Sequence, residues 1–371
     1  MEADGRRGFA LLDGSRLITE SCVRAGADAY VGYPITPASL IYSYASRRFP
    51  VILPAPDEIT ALQWMAGLAS TGRLPVTATS FPGLALMVES INMAYMMELP
   101  MLIVLVQRLG PSTGTATAGA QDDLRFVHGI ISGGYPVPTF CIGDTEDCWR
   151  LPPVALRTAV ELRTPVVLLT SKEMVMTERS FELSELGDID RVERERYDGA
   201  GPYIPYAAGD AEAPRFLSIG DDEHQVRMTA STHDSLGILR HSTEDALANT
   251  RRLSAKVKAK TPALYDLEEK EGADTLIVTY GITAGAAQEA VEILGEEGIA
   301  ASLLVARTLV PIPDDYFRIV DRYDRVVFAE ENLQGQFASI LFGEQQPDGV
   351  RIVGDIGHMV TPEQIAREVS A

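Results

Sequence analysis

The 371-residue chain is expected to fold as an α/β protein with a doubly wound parallel-sheet domain (1–177), an extended arm (178–270) and a smaller parallel α/β domain (271–371). Three observations predict this. Short β-prone runs alternate with helix-length amphipathic or apolar segments as far as Thr177, the pattern of a parallel sheet with helical crossovers. The alternation fails over about ninety residues, then resumes from Asp274 to the end. The intervening stretch is too long for a plain loop in a compact domain, yet rich in tyrosine and leucine.

The first domain is organised around Leu74–Gly114. Pro75–Ala78 reads as a strand, Thr79–Gly83 as a turn, Leu84–Met97 as a helix, and Met101–Val106 as a continuous apolar strand after Pro100. That helix is apolar nearly all round, so it needs protein on both sides, from a deep core or another subunit. Upstream, Asp13 or Ser15 can cap a helix running to Arg24 that Gly26 ends. Ala29–Val31 is a strand leading into Gly32-Tyr33-Pro34-Ile35-Thr36-Pro37, whose prolines forbid helix; a helix then resumes to about Arg47. Val51–Leu53 is a third strand, and a helix from Glu58 to Thr71 follows it. Downstream, Thr115–Asp123 is a loop, Leu124–Ile131 helical, Pro136–Ile142 a strand, Asp147–Leu162 a helix and Thr164–Ser171 a buried strand.

In the arm one helix stands out, Ser242–Ala259, whose basic end is expected to be solvated and favoured by the helix dipole. The last domain reads strand–helix four times: 275–280 and 283–294, 300–305 and 313–322, 325–329 and 336–342, 350–353 and 361–369.

Composition excludes several functions. A formal charge of −20 and a pI near 4.7 argue against nucleic-acid and anionic-membrane partners. No apolar stretch approaches the ~20 residues of a membrane span, and three cysteines without a C-x-x-C spacing cannot alone hold a four-cysteine cluster or a structural zinc. The start, MEADGRRGFALL, has no signal-peptide pattern. A soluble cytoplasmic protein is expected. G-x-G-x-x-G, P-loop, H-E-x-x-H and G-x-S-x-G signatures are absent, and the five histidines are scattered, so no metal site is expected.

Polar chemistry instead gathers just after the predicted strands of one sheet: Tyr33–Pro37, Asp57-Glu58, Thr79–Gly83, and Arg108 with the Gly110–Gly114 loop. Each has a plain structural reading. Pro-Ile-Thr-Pro can be a rigid turn, Glu58 a first-turn carboxylate complementing the helix dipole, and Arg108 an ordinary strand-end arginine. Their shared edge, where open parallel sheets bind ligands, favours a site.

The segments YPITPAS, PDEITALQWMAGLA, TATSFPGLALMVESI and VQRLGPSTGTATAGAQDDL resemble the α subunit of 2-oxoacid:ferredoxin oxidoreductases, most nearly the 2-oxoglutarate type without a fused γ domain. TPVVLLTS, THDSLGI, ARTLVPIP and EENLQGQ extend the resemblance over essentially the whole chain. It implies a thiamine-diphosphate-binding domain of the pyrimidine type and a transketolase-C-terminal-like final domain. It also implies a β subunit carrying the diphosphate and Mg²⁺ site and a [4Fe-4S] cluster, coenzyme A as co-substrate, ferredoxin as acceptor, and room for a separate γ chain. Neither a G-D-G motif nor enough cysteines for a cluster is present, so the chain alone should be inactive. By the same resemblance Glu58 is the carboxyl facing the pyrimidine, Thr36 and Arg108 meet the substrate, and Tyr33, Pro34, Ile35, Ser80, Phe81 and Pro82 line the cofactor. Arg108, Ser112 and Thr113 then face substrate or coenzyme A. Asp57 points elsewhere on its turn, and SFPG stands where SGPG is common. The rival readings are the pyrimidine half of a lipoamide-using 2-oxoacid dehydrogenase and a non-catalytic paralogue binding coenzyme A or a nucleotide.

Overall fold

The computed structural model describes residues 8–199 and 201–371; of the opening segment MEADGRRGFALL, only Gly8–Leu12 lies within them. In chain order the first half comprises β1 (Phe9–Asp13), α1 (Gly14–Arg24), β2 (Ala29–Gly32), α2 (Ser39–Arg48), β3 (Val51–Pro54), α3 (Glu58–Ser70), β4 (Pro75–Thr79) and α4 (Phe81–Met96). It continues with β5 (Met101–Gln107), α5 (Leu124–His128), β6 (Thr139–Cys141), α6 (Asp147–Leu162), β7 (Pro165–Ser171), α7 (Lys172–Met176) and β8 (Glu178–Glu182). The second half holds α8 (Glu244–Lys260), β9 (Tyr265–Glu268), β10 (Thr275–Tyr280), α9 (Thr283–Glu296), β11 (Ala301–Ala306), β12 (Thr308–Val310) and α10 (Asp314–Val320). It ends with β13 (Arg325–Glu330), α11 (Gln336–Phe342), β14 (Val350–Gly354) and α12 (Pro362–Ser370).

A seven-stranded sheet runs in the order β12-β6-β7-β5-β4-β2-β3, and its strands from β6 to β3 pair in parallel. β5 (MLIVLVQ) and β7 (PVVLLTS) are buried along their whole length, as central parallel strands covered by helices on both faces must be. The second sheet, β14-β13-β10-β11-β9, is parallel except for β9.

Several elements differ from the sequence reading. Helix α4 begins at Phe81, so Phe81-Pro82-Gly83 form its first turn instead of a free turn; Pro82 lacks only an N–H that a first turn leaves unpaired. The loop after β5 yields a five-residue α5, because Gly129 ends it. Asp13 is the cap of α1, its Oδ1 accepting from the Arg16 N–H at 2.8 Å. β1 and β8 form an antiparallel pair outside both sheets, and β9, inside the expected arm, is an edge strand of the second sheet. β12, inside the expected last domain, joins the first sheet by pairing with β6.

The basic end of α8 is not simply solvated. Arg251, Lys258 and Lys260 are exposed, but Arg252 and Lys256 lie on the buried stripe with Leu253 and Val257. Both bond the carboxylate of Glu98, which is wholly buried after α4. A three- and four-residue spacing places Asn249, Arg252 and Lys256 on one helical face, and that face packs on the first domain.

Candidate active site

Glu58, Ser80 and Arg108 follow the C-terminal ends of β3, β4 and β5, and Thr36 follows β2. The parallel register brings these loops to one edge of the sheet. Asp57 turns away to cap α3, its Oδ1 accepting from the Thr60 N–H at 2.7 Å. Capping fixes the first turn, so Glu58 is aimed by the strand-to-helix junction itself.

The Glu58 side chain is 6% exposed and takes no hydrogen bond from the described residues. It lies against the first turn of α4: a Cβ added to Gly83 would sit 2.7 Å from Glu58 Oε1 and 2.2 Å from Thr79 Oγ1. Gly83 is therefore a space requirement, since any larger residue would push the carboxyl away. Ser80, at the N-cap of α4, is fully buried, and its Oγ has no partner among the described residues. A buried hydroxyl without a partner, at the same edge as a carboxyl that takes no hydrogen bond from the described residues, is a group that a ligand would satisfy.

Arg108 ties two of the loops together. Its Nη1 donates to the Thr36 carbonyl at 2.6 Å, while its Nε is buried without a partner. Burial lowers its pKa, an effect that the charge of Asp123 opposes. Beyond it, the Gly110–Gly114 loop folds on itself: the Thr115 N–H donates to the Leu109 carbonyl, and a Cβ on Gly114 would lie 1.7 Å from that oxygen. Tyr33, Pro34, Thr36, Ser112 and Thr113 are exposed at this edge, and Ile35, Phe81 and Pro82 are half-buried.

Phe81, Pro111, Ser112 and Asp123 line a cavity of 370 Å³ closed on the other side by Leu333, Gln336 and Ile356 of the second domain. Reading motifs along the chain does not find this second wall, because its residues lie over two hundred positions away. Gln121 is the joint. Its Nε2 donates to the Tyr280 carbonyl at 2.7 Å, its Oε1 accepts from Thr283 Oγ1 at 2.8 Å and from the Glu331 N–H at 2.6 Å. Gln336 Nε2 donates to the Asp122 carbonyl, and Gln336 Oε1 accepts from the Arg125 N–H. The motif strings AQDDL and EENLQGQ thus meet in space, a pairing that no local periodicity could announce.

Acidic groups crowd this seam. Burial raises Asp123 to about 7, with the charge of Asp122 adding to it and that of Arg108 opposing. Burial also raises Glu331 to about 7, with Glu173 adding. Among the described residues no group of three or more His, Cys, Asp or Glu side chains could hold a metal ion, and no helix is long and apolar enough to cross a membrane.

A two-domain α/β chain whose first parallel sheet gathers Glu58, Ser80 and Arg108 at one edge has the architecture of a thiamine-diphosphate-binding protein, the class that the family profiles give. The family profile described as "Pyruvate flavodoxin/ferredoxin oxidoreductase, thiamine diP-bdg" matches residues 20–242, and the transketolase C-terminal domain matches residues 266–341. The chain belongs to the first of these families, a family of oxidoreductases. It is 28% identical to the 2-oxoglutarate synthase subunit KorA of Archaeoglobus fulgidus over 88% of each chain. It is 30% identical to the 2-oxoglutarate oxidoreductase subunit KorA of Mycobacterium tuberculosis over 94% of this chain and 54% of that one. Among solved structures, the 2-oxoglutarate:ferredoxin oxidoreductase from Magnetococcus marinus, with 2-oxoglutarate, coenzyme A and succinyl-CoA bound, superposes with a TM-score of 0.92 at 28% identity. This chain is covered to 98% and that longer chain to 65%. A split-gene transketolase superposes at a TM-score of 0.52 and 17% identity, a likeness of fold alone.

Proposed function

We propose that this chain is the α subunit of a 2-oxoacid:ferredoxin oxidoreductase that converts a 2-oxoacid, 2-oxoglutarate being favoured, to acyl-CoA and CO₂. A β subunit would supply the diphosphate and Mg²⁺ site and the [4Fe-4S] cluster that passes electrons to ferredoxin, with a γ chain as a further candidate partner. The observation that carries the reading is Glu58: a buried carboxyl without a partner among the described residues, held at a sheet edge by a glycine that leaves it room. The 2-oxoacid substrate is favoured by the relatives' names and by Arg108 at the same edge. The exposed apolar surface of α3 and α4, with Ile59, Trp64 and Leu86 each over 40% exposed, supports a partner chain covering this face.

The residues present fit thiamine diphosphate. Ser80 Oγ and the Glu58 carboxyl would face its pyrimidine, and Tyr33, Pro34, Ile35, Phe81 and Pro82 would line it. When bound, the cofactor supplies a carbon nucleophile that accepts the electrons released on decarboxylation. Glu58 would hold a proton against pyrimidine N1′, in a site dry enough for that hydrogen bond to shift the ring's tautomer. Arg108 would receive the substrate carboxylate through charge-assisted hydrogen bonds, and its bond to the Thr36 carbonyl would fix the fork that does so. Thr36 would offer its hydroxyl to the same substrate, with Ser112 and Thr113 on the approach used by coenzyme A.

Glu58→Gln, introduced into the complex co-purified with its partner chains, should lower viologen-dye reduction by 2-oxoglutarate and coenzyme A by about 10²–10⁴-fold, with the complex still assembling. Turnover within tenfold of the unsubstituted complex would remove Glu58 from this role.

A further inference from the structure

We propose that Asp123 is a positioning residue for Arg108: a buried, unpartnered carboxyl at the wall of the interdomain cavity whose charge sets how strongly the guanidinium attracts a substrate carboxylate. The proposal rests on the reading of Arg108 given above. Asp123 is the N-cap residue of α5, yet it makes no capping bond, and its Oδ2 is buried without a partner. Arg108 Nε is likewise buried and unpaired, and each charge acts on the other. The two opposite groups are both nearly out of solvent and joined by no hydrogen bond or ion pair among the described residues, and Asp123 also lines the interdomain cavity. Asp123 is kept there by the second domain. The Gln121 clamp and the Gln336 bond to the Asp122 carbonyl hold the residues before it, and the Arg125 N–H bond to Gln336 Oε1 holds the chain after it.

The titratable and charged groups facing Asp123 are Arg108 after β5, Asp122 beside it and Tyr280 at the end of β10. Arg108 favours the ionised carboxyl; burial and Asp122 favour the protonated one. An incoming carboxylate adds negative charge, so substrate binding near neutral pH should draw a proton onto Asp123. When Asp123 is ionised it instead opposes the substrate and shares the Arg108 charge. Affinity for the 2-oxoacid should therefore be higher below the Asp123 titration than above it. If binding shifts that titration by about one unit, linkage makes the change roughly tenfold.

The test uses the assembled complex with Asp123→Asn, Asp123→Glu and Arg108→Met. Steady-state kinetics from pH 6 to pH 8.5 should show KM for the 2-oxoacid rising roughly tenfold with little change in kcat in the unsubstituted complex. D123N should flatten that KM profile and D123E should retain it. Independently of turnover, the infrared band of the protonated carboxyl missing from D123N should titrate near neutrality. R108M should move that midpoint up by at least about one unit. A D123N profile that keeps the pH-dependent KM, or a band midpoint indifferent to R108M, overturns the proposal. A complex that fails to turn over any 2-oxoacid defeats the functional reading instead, and leaves the infrared arm to decide whether Asp123 and Arg108 are coupled.

Discussion

Replacing Glu98 by glutamine tests the ion cluster that fastens α8 to the first domain. The Glu98 carboxylate is fully buried and accepts from Arg252 Nη1 at 3.0 Å, from Lys256 Nζ at 2.5 Å and from Arg252 Nη2. Arg163 lies alongside, its guanidinium donating to the Glu98 carbonyl and to the Pro214 and Arg215 carbonyls of the arm. Burial alone would raise Glu98, but the charges of Lys256 and Arg252 bring it down to about 2 from 4.5, about 3 kcal/mol in favour of the charged form. Burial lowers Lys256 to about 8 from 10.5 even with Glu98 beside it. A buried ion cluster is often near neutral against an apolar replacement, and its strength shows when one member is removed. E98Q leaves buried Arg252 and Lys256 without a counter-charge and should cost about 3–5 kcal/mol. The assay is urea unfolding of the purified chain followed by circular dichroism. E98Q/K256M should recover a substantial part of the loss, because the double variant leaves one fewer unpaired cation. The sign with pH follows from the lowered carboxyl: its contribution is present above pH ~4.5 and is lost as pH falls through ~2. An E98Q chain within about 1 kcal/mol of the unsubstituted one would show that water or relaxation already solvates the cluster, and refute this account.

Gly83→Ala should fold yet lose about 10²-fold or more in turnover of the assembled complex, because the new methyl displaces Glu58 and misplacement of about 1 Å is enough; unchanged kcat would sink it. Gln121→Ala strips three buried hydrogen bonds at the domain seam and should destabilise the chain by roughly 2–4 kcal/mol. Limited proteolysis should then cut first between the domains, and a protease-resistant variant would count against the clamp. Asp123 is raised in the folded state from 3.8 to about 7, so its stabilising contribution is complete below pH ~4 and is lost as pH rises through ~7. The stability of D123N should accordingly fall less between pH 5 and 7, by up to about 1.4 kcal/mol per pH unit; parallel urea titrations of the two chains would contradict this.

Much of the sheet was legible because parallel strands covered on both faces must be continuous apolar runs, and β5 and β7 are. The positions of Glu58, Thr36 and Arg108 were legible because each lies within four residues of a strand's C-terminal end, and strand ends of one parallel sheet share an edge. Elements specified by partners far along the chain were not. Thr308–Val310 looks like the continuation of β11, yet it pairs with Phe140 and Thr139 of the first sheet. The basic stripe of α8 reads as solvated because its counter-charge, Glu98, lies 154 residues away from Arg252. The resemblance favoured Glu58 over Asp57, and the structure adds that Asp57 caps α3, its Oδ1 accepting from the Thr60 N–H.

The second domain does more than fill a place in the chain. Arg307, between β11 and β12, bonds Asp147, the first residue of α6, at 2.7 Å and Asp144, in the loop before it, at 3.1 Å, and also Asp266. With the β12–β6 pairing, this fixes the second domain along one side of the first sheet. The Gln121 and Gln336 bonds fix it over the loop that follows β5. That loop carries Arg108 at its root and Asp123 at its end; within it the Leu109 N–H donates to the Ala118 carbonyl and the Gly110 N–H to Asp122 Oδ2. Left alone, fourteen-odd residues of small polar chain would have no reason to keep a guanidinium and a carboxyl in register, since ordering each residue costs about 1–2 kcal/mol. The bonds from the distant domain offset that cost. The geometry around Arg108 and Asp123 is therefore a property of both domains, whereas the Glu58–Gly83 contact is built by the first domain alone.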